Sequence, residues 1–230
     1  MKDCVYFDSH VHISNDKAYD YFIDASRLDE ILKDKFLDGC LAVIHSTDEN
    51  YEKDCSKIKK YCKKYSNIIP CVELAQKFIF NNSEIKCHVM YLADMPIYDD
   101  ISYGSWFCHV KKKGGLFFSY DFRNNYVSEA LICNPKNGNK SKVNIVESTT
   151  DCEEAIFLKS LNLTVLLGTD IHPNKNKKYA SYLGSRGTII KSDKFNYNTF
   201  MQALQENSFG YFSKTVKANE LITCSSKLKK

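Results

Sequence analysis

Two short motifs carry side chains able to hold metal ions. DSHVH, from Asp8 to His12, follows an apolar opening run. GTDIH, from Gly168 to His172, follows another, TVLL. Residues i and i+2 of a strand point the same way, so His10 and His12 converge on one point, and so do Asp170 and His172. One His-x-His is common. Two ligand pairs, each closing a strand and separated by most of the chain, point to a single metal centre between the first and last strands of a barrel. Imidazole and carboxylate together suit a divalent ion that activates water.

Between these motifs, ligand-type residues recur near the ends of apolar runs. HSTDEN carries Asp48 and Glu49, CVELA carries Glu73, KCHVMYL carries His88, and FFSYDFR carries Asp121. A polar ring at the mouth of an apolar barrel is costly without ions to neutralise it. Each residue also has a plainer reading. Glu73 and Asp121 suit a surface strand end and a loop, and His88 a satisfied core histidine. Asp16 suits a helix N-cap. His45 either faces outward or replaces a ligand, and His109, beside Lys111 to Lys113, reads as exposed. Arginine is scarce: Arg27, Arg123 and Arg186 stand among 32 basic residues. Arg123 and Arg186 lie close to proposed ligands, where a forked donor suits phosphate oxygens. Ordinary surface arginine is the competing reading.

The elements that must position these residues follow from the apolar pattern. Seven runs read as strands: 4–7, 40–45, 68–73, 85–92, 116–120, 143–147 and 164–168. Several are continuously apolar, as strands covered on both faces are. Helices fit most of the intervals. Ser26 and Asp29 form a capping-box pattern before Leu28, Ile31, Leu32 and Phe36. Residues 51–65 form a lysine-rich amphipathic helix, and 151–161 form another. The stretch from Tyr197 to Phe212 reads as a late helix packing back on the body. Alternating strands and helices imply parallel strands with helical crossovers. The expectation is an α/β fold, a distorted (β/α)7 TIM-like barrel with its metal site at the C-terminal ends of the strands. Residues 1–224 form one domain, and 225–230 a frayed basic tail.

Composition sets the remaining bounds. The chain has 230 residues, 43% hydrophobic and 26% charged, with net charge +4. Its lysine clusters are dispersed, which favours solvated faces over a nucleic-acid footprint. No apolar run is long enough to span a bilayer, and a cytoplasmic location is expected. Ten cysteines occur without a Cys-x-x-Cys pair, which fits buried reduced thiols. A Cys-x5-Arg loop and a Gly-x-Ser-x-Gly elbow are both missing from the sequence, which disfavours covalent catalysis.

The order of motifs resembles the polymerase-and-histidinol-phosphatase (PHP) superfamily of metal-dependent phosphoesterases over most of the chain. DSHVH is similar to its D-x-H-x-H, Glu73 to its bridging glutamate, and His88 to the following histidine. GGLFFSYDF resembles its Gly-Gly-apolar run, with Asp121 where the family has the histidine of His-Pro. IVEST, GTDIH, Leu183-Gly184, GTIIK and FMQAL follow in the family's order. The family's Thr-Asp-His is here Thr47-Asp48-Glu49. The resemblance implies two or three divalent ions, manganese, iron or zinc. His10, His12, Glu73 and Asp170 would hold one, and Glu73, His88 and Asp121 a second. His172 with Asp48 or Glu49, and Asp16, would hold a third. Counting from Gly39 favours Asp48, while matching Thr-Asp favours Glu49. The implied activity is hydrolysis of a phosphomonoester, on a small molecule or a phosphotyrosine peptide. Arg123 and Arg186 would bind the phosphate, and His172, Asp121 or Tyr120 would serve proton transfer. The rivals are a TatD-like or other amidohydrolase-type hydrolase, for which DSHVH and GCLAVIHSTDENYEKD speak, a capsule-type tyrosine-protein phosphatase of the PHP-like kind, and a non-catalytic PHP-like binding subunit. The exchanges of histidine for acid favour the last.

Overall fold

The computed structural model describes residues 3–14, 23–80, 83–93, 117–118, 145–148, 152–160, 164–173, 179–214 and 221–224. Its strands are β1 (Val5–His12), β2 (Gly39–Ser46), β3 (Ile68–Phe80), β4 (Ser83–Leu92), β5 (Phe117–Phe118), β6 (Ile145–Ser148), β7 (Thr164–Leu167), β8 (Arg186–Ile190), β9 (Phe209–Lys214) and β10 (Leu221–Cys224). The helices are α1 (Ala25–Asp34), α2 (Tyr51–Cys62), α3 (Cys152–Ser160), α4 (Tyr179–Tyr182) and α5 (Tyr197–Glu206). All seven expected strands are present, and three more follow them.

These strands do not form the expected (β/α)7 TIM-like barrel. They form an open mixed sheet in the order β10-β9-β8-β1-β2-β3-β4-β5, with β6 and β7 paired beside it. Among the described strand pairs, β1/β2, β2/β3 and β6/β7 run parallel and the rest antiparallel. Two features account for the departure. First, β3 does not stop at Glu73. It runs on through Phe80 and turns straight into β4, pairing antiparallel from Cys71↔Leu92 to Phe80↔Ser83. Only residues 81 and 82 separate the two strands. A parallel crossover needs a dozen residues or more, so this interval permits only a hairpin. Second, β8 pairs antiparallel with the N-terminal half of β1, at Val5↔Ile190, Tyr6↔Ile189 and Phe7↔Thr188. It occupies the edge that a closing parallel strand would need.

One element of the expected closure survives locally. Val11 of β1 forms a parallel bridge with Ile171, just beyond β7. The His12 N–H donates to the Ile171 carbonyl at 3.0 Å. The two ligand motifs therefore meet although the barrel does not close.

The helices follow their caps. Helix α1 is capped by Asp24, which accepts from Ser26 N at 2.8 Å. The expected Ser26–Asp29 box does not form, because Asp29 is drawn to Lys33 at 2.6 Å and to Asn67 at 3.1 Å. Leu28, Ile31 and Leu32 are buried as their spacing requires. Phe36 lies past the helix end with φ 57° and is 81% exposed, so it leaves that face. The late segment splits into α5 and β9. Asn196 and Thr199 make a reciprocal capping box for α5, and Asn207 ends it at φ 49°. Phe200 of α5 packs on Phe7, Phe195 and Phe209 in one cluster that draws on β1, β2, β3, β7, β9 and the helices. Cys4, Cys40, Cys55, Cys62, Cys71 and Cys152 are free thiols, and all but Cys4 are buried. No helix among the described residues is long and apolar enough to cross a membrane.

Candidate metal centre

Strand register explains why distant ligands share one face. In parallel neighbours, register partners project to the same side. His12 is opposite Val43, and His45 is opposite Glu73. Val43 and His45 are two residues apart on β2, so His12, His45 and Glu73 lie on one side of the sheet. A bulge interrupts the β1/β2 register between Asp8 and Val11. Such bulges re-aim side chains beside functional sites.

Four ligand atoms gather at this face. His10 Nε2 and His12 Nε2 are 2.9 Å apart. Glu73 Oε2 is 3.6 Å from the first and 3.1 Å from the second. Asp170 Oδ1 is 3.4 and 3.3 Å from the same two nitrogens. An ion with arms of about 2.0–2.1 Å has ligand–ligand edges of roughly 2.9–3.0 Å in an octahedron and 3.3–3.4 Å in a tetrahedron. The observed separations fall around these edges. His10, His12 and Glu73 are buried. The donor set is one that a divalent ion takes, and the residues fit it.

The loop after β7 supplies Asp170. Its backbone is left-handed, at φ 51°, a region that Asp enters more readily than most residues. Burial pushes the Asp170 carboxyl up, but a hydrogen bond from His12 and the charges of His10 and His12 outweigh it and bring it to about 2. Asp170 is therefore a carboxylate across the neutral range.

A second group lies beside the first. His45 Nε2 and His172 Nε2 are 3.2 Å apart. The His172 ring stacks on His12 with centroids 3.8 Å apart, and the His45 ring does so at 4.4 Å. His172 Nδ1 is 3.2 Å from the Asp170 carbonyl, which only accepts, so the proton belongs on Nδ1 and the Nε2 lone pair faces His45. His45 Nδ1 lies 3.4 Å from Glu73 Oε2. Two ring nitrogens at this distance are spaced to bind one cation between them. His12, His45 and His172 lie close enough together to hold one.

The backbone fixes these side chains. Tyr179 OH donates to the His12 carbonyl at 2.8 Å. Asp8 is fully buried and accepts from Thr169 N at 2.9 Å, Thr169 Oγ1 at 2.7 Å, Gly184 N at 3.2 Å and His10 N at 3.2 Å. Burial pushes the Asp8 carboxyl up, and these hydrogen bonds partly offset that.

Against the sequence expectations, His10, His12, Glu73, Asp170 and His172 come together. Glu73 does so from the interior of β3 rather than from a strand end. Glu49 does not join them. It is exposed in the short 3-10 turn Asp48–Asn50, past the mouth of β2. His45, inside β2, stands at the site instead. Arg186 opens β8 and donates through Nε to the Gly168 carbonyl at 3.0 Å and through Nη2 to the Thr169 carbonyl at 3.4 Å. His88 is opposite Ala75 in the β3/β4 ladder, and its side chain lies outside the described residues, as does that of Asp48. Asp16, His109, Tyr120, Asp121 and Arg123 also lie outside the described residues. Asp8, Thr169, Tyr179 and Gly184 were given no role from sequence. Only the Asp that opens DSHVH and the Thr inside GTDIH hinted at one.

No protein-family model matches the chain, and no curated protein matches it. Among solved structures it is similar to the crystal structure of a "putative metal-dependent phosphoesterase" from Bifidobacterium adolescentis, at 10% identity and a TM-score of 0.45, covering 86% of this chain and 95% of that one.

Proposed function

We propose that this chain is a metal-dependent hydrolase acting on phosphate monoesters. The observation that carries the reading is the set of four ligand atoms, His10 Nε2, His12 Nε2, Glu73 Oε2 and Asp170 Oδ1, at the spacing of a coordination shell. His10, His12, Glu73 and Asp170 would hold one divalent ion, and His45 with His172 would hold a second beside it. Manganese, iron and zinc all suit imidazole with carboxylate. Bound there, such ions supply Lewis acidity toward phosphoryl oxygens and a lowered pKa for bound water.

The remaining steps belong to the chain. Asp170, ionised at neutral pH, brings negative charge to the site without a proton to displace. Glu73 Oε2 lies 3.1 Å from His12 Nε2 and 3.4 Å from His45 Nδ1, so this carboxylate would be within reach of both ion positions. His172 is partly exposed and sits at the rim. It can hold a proton at its ring nitrogen for the leaving oxygen when it is not ligating. Substrate phosphate would be met by Arg123, while Arg186, already bonded to Gly168 and Thr169, keeps the Asp170 loop in place. Asp121 and His88 remain proposed ligands. The substrate class is a small phosphomonoester or a phosphotyrosine peptide.

The test is metal analysis followed by turnover. Purified protein loaded with manganese, iron or zinc should retain two equivalents, and His10→Ala/His12→Ala should lose them. Hydrolysis of an aryl phosphate by the loaded parent should disappear in that variant. Folded parent that takes up no ion from any of the three loadings would overturn the reading. Metal uptake without turnover of aryl phosphate, sugar phosphate or phosphotyrosine peptide would leave a metal-binding scaffold.

A further inference from the structure

We infer that Asp8 is a positioning residue that acts through Thr169 to set Asp170 and His172 at the centre. This rests on the metal-binding reading above and adds a role for a residue that contributes no atom to either ligand cluster. Asp8 has no exposed surface, and each of its oxygens accepts two hydrogen bonds. Oδ1 takes His10 N at 3.2 Å and Thr169 N at 2.9 Å, and Oδ2 takes Thr169 Oγ1 at 2.7 Å and Gly184 N at 3.2 Å. One carboxylate thus ties β1 to two separate loops.

The tie is placed where it matters most. Thr169 precedes Asp170, whose left-handed backbone aims Oδ1 between His10 and His12. With Thr169 N held by Asp8 and Thr169 O by Arg186, both peptide groups of that residue are fixed. On the far side, Ile171 O is held by His12 N. Asp170 is therefore bracketed by anchored neighbours and keeps its strained conformation before any ion arrives. Gly184 is suited to its part in this clamp. It has φ +70°, and a Cβ there would come within 2.7 Å of Leu37 Cδ1.

Asp8→Asn, Thr169→Val and Thr169→Ser decide the matter. Asparagine turns one acceptor into a donor facing donors, valine removes the hydroxyl at constant shape, and serine keeps it. With manganese alone as the probe, Asp8→Asn and Thr169→Val should weaken binding by about 10–100-fold, the range for lost outer-shell support. Thr169→Ser should bind like the parent. Ile58→Val on α2 serves as a stability control and should lower the thermal midpoint without altering affinity. In the metal-free protein, amide exchange at Thr169 and Gly184 should be slow in the parent and in Thr169→Ser, and fast in Asp8→Asn and Thr169→Val. Unchanged affinity in folded Asp8→Asn and Thr169→Val overturns the positioning role. Should the parent bind none of manganese, iron and zinc, the metal reading fails and the exchange data alone judge the clamp. Unprotected amides at Thr169 and Gly184 in the parent then overturn it.

Discussion

His45 Nε2 lies 3.2 Å from His172 Nε2, although 127 positions separate them in the chain. The His172 proton belongs on Nδ1, against the Asp170 carbonyl, so its Nε2 lone pair faces His45 Nε2 and the two nitrogens are spaced to bind one ion. Substituting His45 should therefore remove one ion and spare the other. His45→Ala is expected to retain one equivalent of metal where the parent holds two, by elemental analysis after dialysis. Retention of both would remove His45 from the centre.

Glu73 Oε2 faces His10, His12 and His45 at 3.6, 3.1 and 3.4 Å. Its removal should affect both ion positions together. Glu73→Ala is expected to lose both equivalents, and chelation of the parent should lower its thermal midpoint, because a ligand bound only to the folded state stabilises it by mass action. At free metal about 100 times the dissociation constant, the stabilisation is about 2.7 kcal/mol. Calorimetry with and without chelator reads this. A chelator-insensitive midpoint would contradict it.

Phe200 is fully buried against Phe7, Phe195 and Phe209, away from the metal ligands. Phe200→Ala should cost about 3–5 kcal/mol of stability through lost burial and the cavity left behind. Urea denaturation measures it. Metal bound per folded molecule should not change, which separates core from site.

Alkaline pH should destabilise the fold before it touches the metal ligands. Burial pushes the Cys62 thiol from 9.0 up to about 12, and it raises Cys40, Tyr51, Tyr61 and Tyr211 in the same direction. For acids whose folded value is raised, the stabilisation is complete below the unfolded value and is lost as pH rises toward the folded one. For Cys62 that window is about pH 9 to 12. The thermal midpoint should hold steady from pH 7 to 9 and fall above it. Cys62→Ala should fall less steeply. A flat profile to pH 11 would show that these groups are not sequestered.

The strands were legible because their apolar runs are dense, and His10 with His12 was legible because i, i+2 spacing on a strand has one geometric meaning; Asp170 and His172 instead stand in the loop past the end of β7, where Asp170 is left-handed and the strand argument does not hold. Glu73 and His172 could be singled out on type and place alone. His45 could not be resolved, since only the β2/β3 register puts it beside Glu73. Glu49 looked like the better ligand by motif, yet it falls on an exposed turn after the strand has ended. The barrel failed because β3 runs on to Phe80, and the two residues then left before β4 give no room for a crossover. The end of β3 was misplaced because AQKFIF continues the strand with polar residues that resemble a loop start. The late segment was read as one helix because Phe209 to Phe212 continues an apolar pattern past Asn207.

What the sequence determined by itself is local: where strands begin, which faces of the early helices are apolar, and that His10 pairs with His12. These follow from periodicities of two and 3.6 residues, which act over a few neighbours. What the tertiary structure decided is non-local. Strand direction, the antiparallel entry of β8 beside β1, the meeting of His45 with His172, and the clamp of Asp8 on Thr169 all depend on register between segments far apart in the chain. No local pattern encodes that register. It is set by which pairings bury the most apolar surface while leaving every buried backbone group bonded.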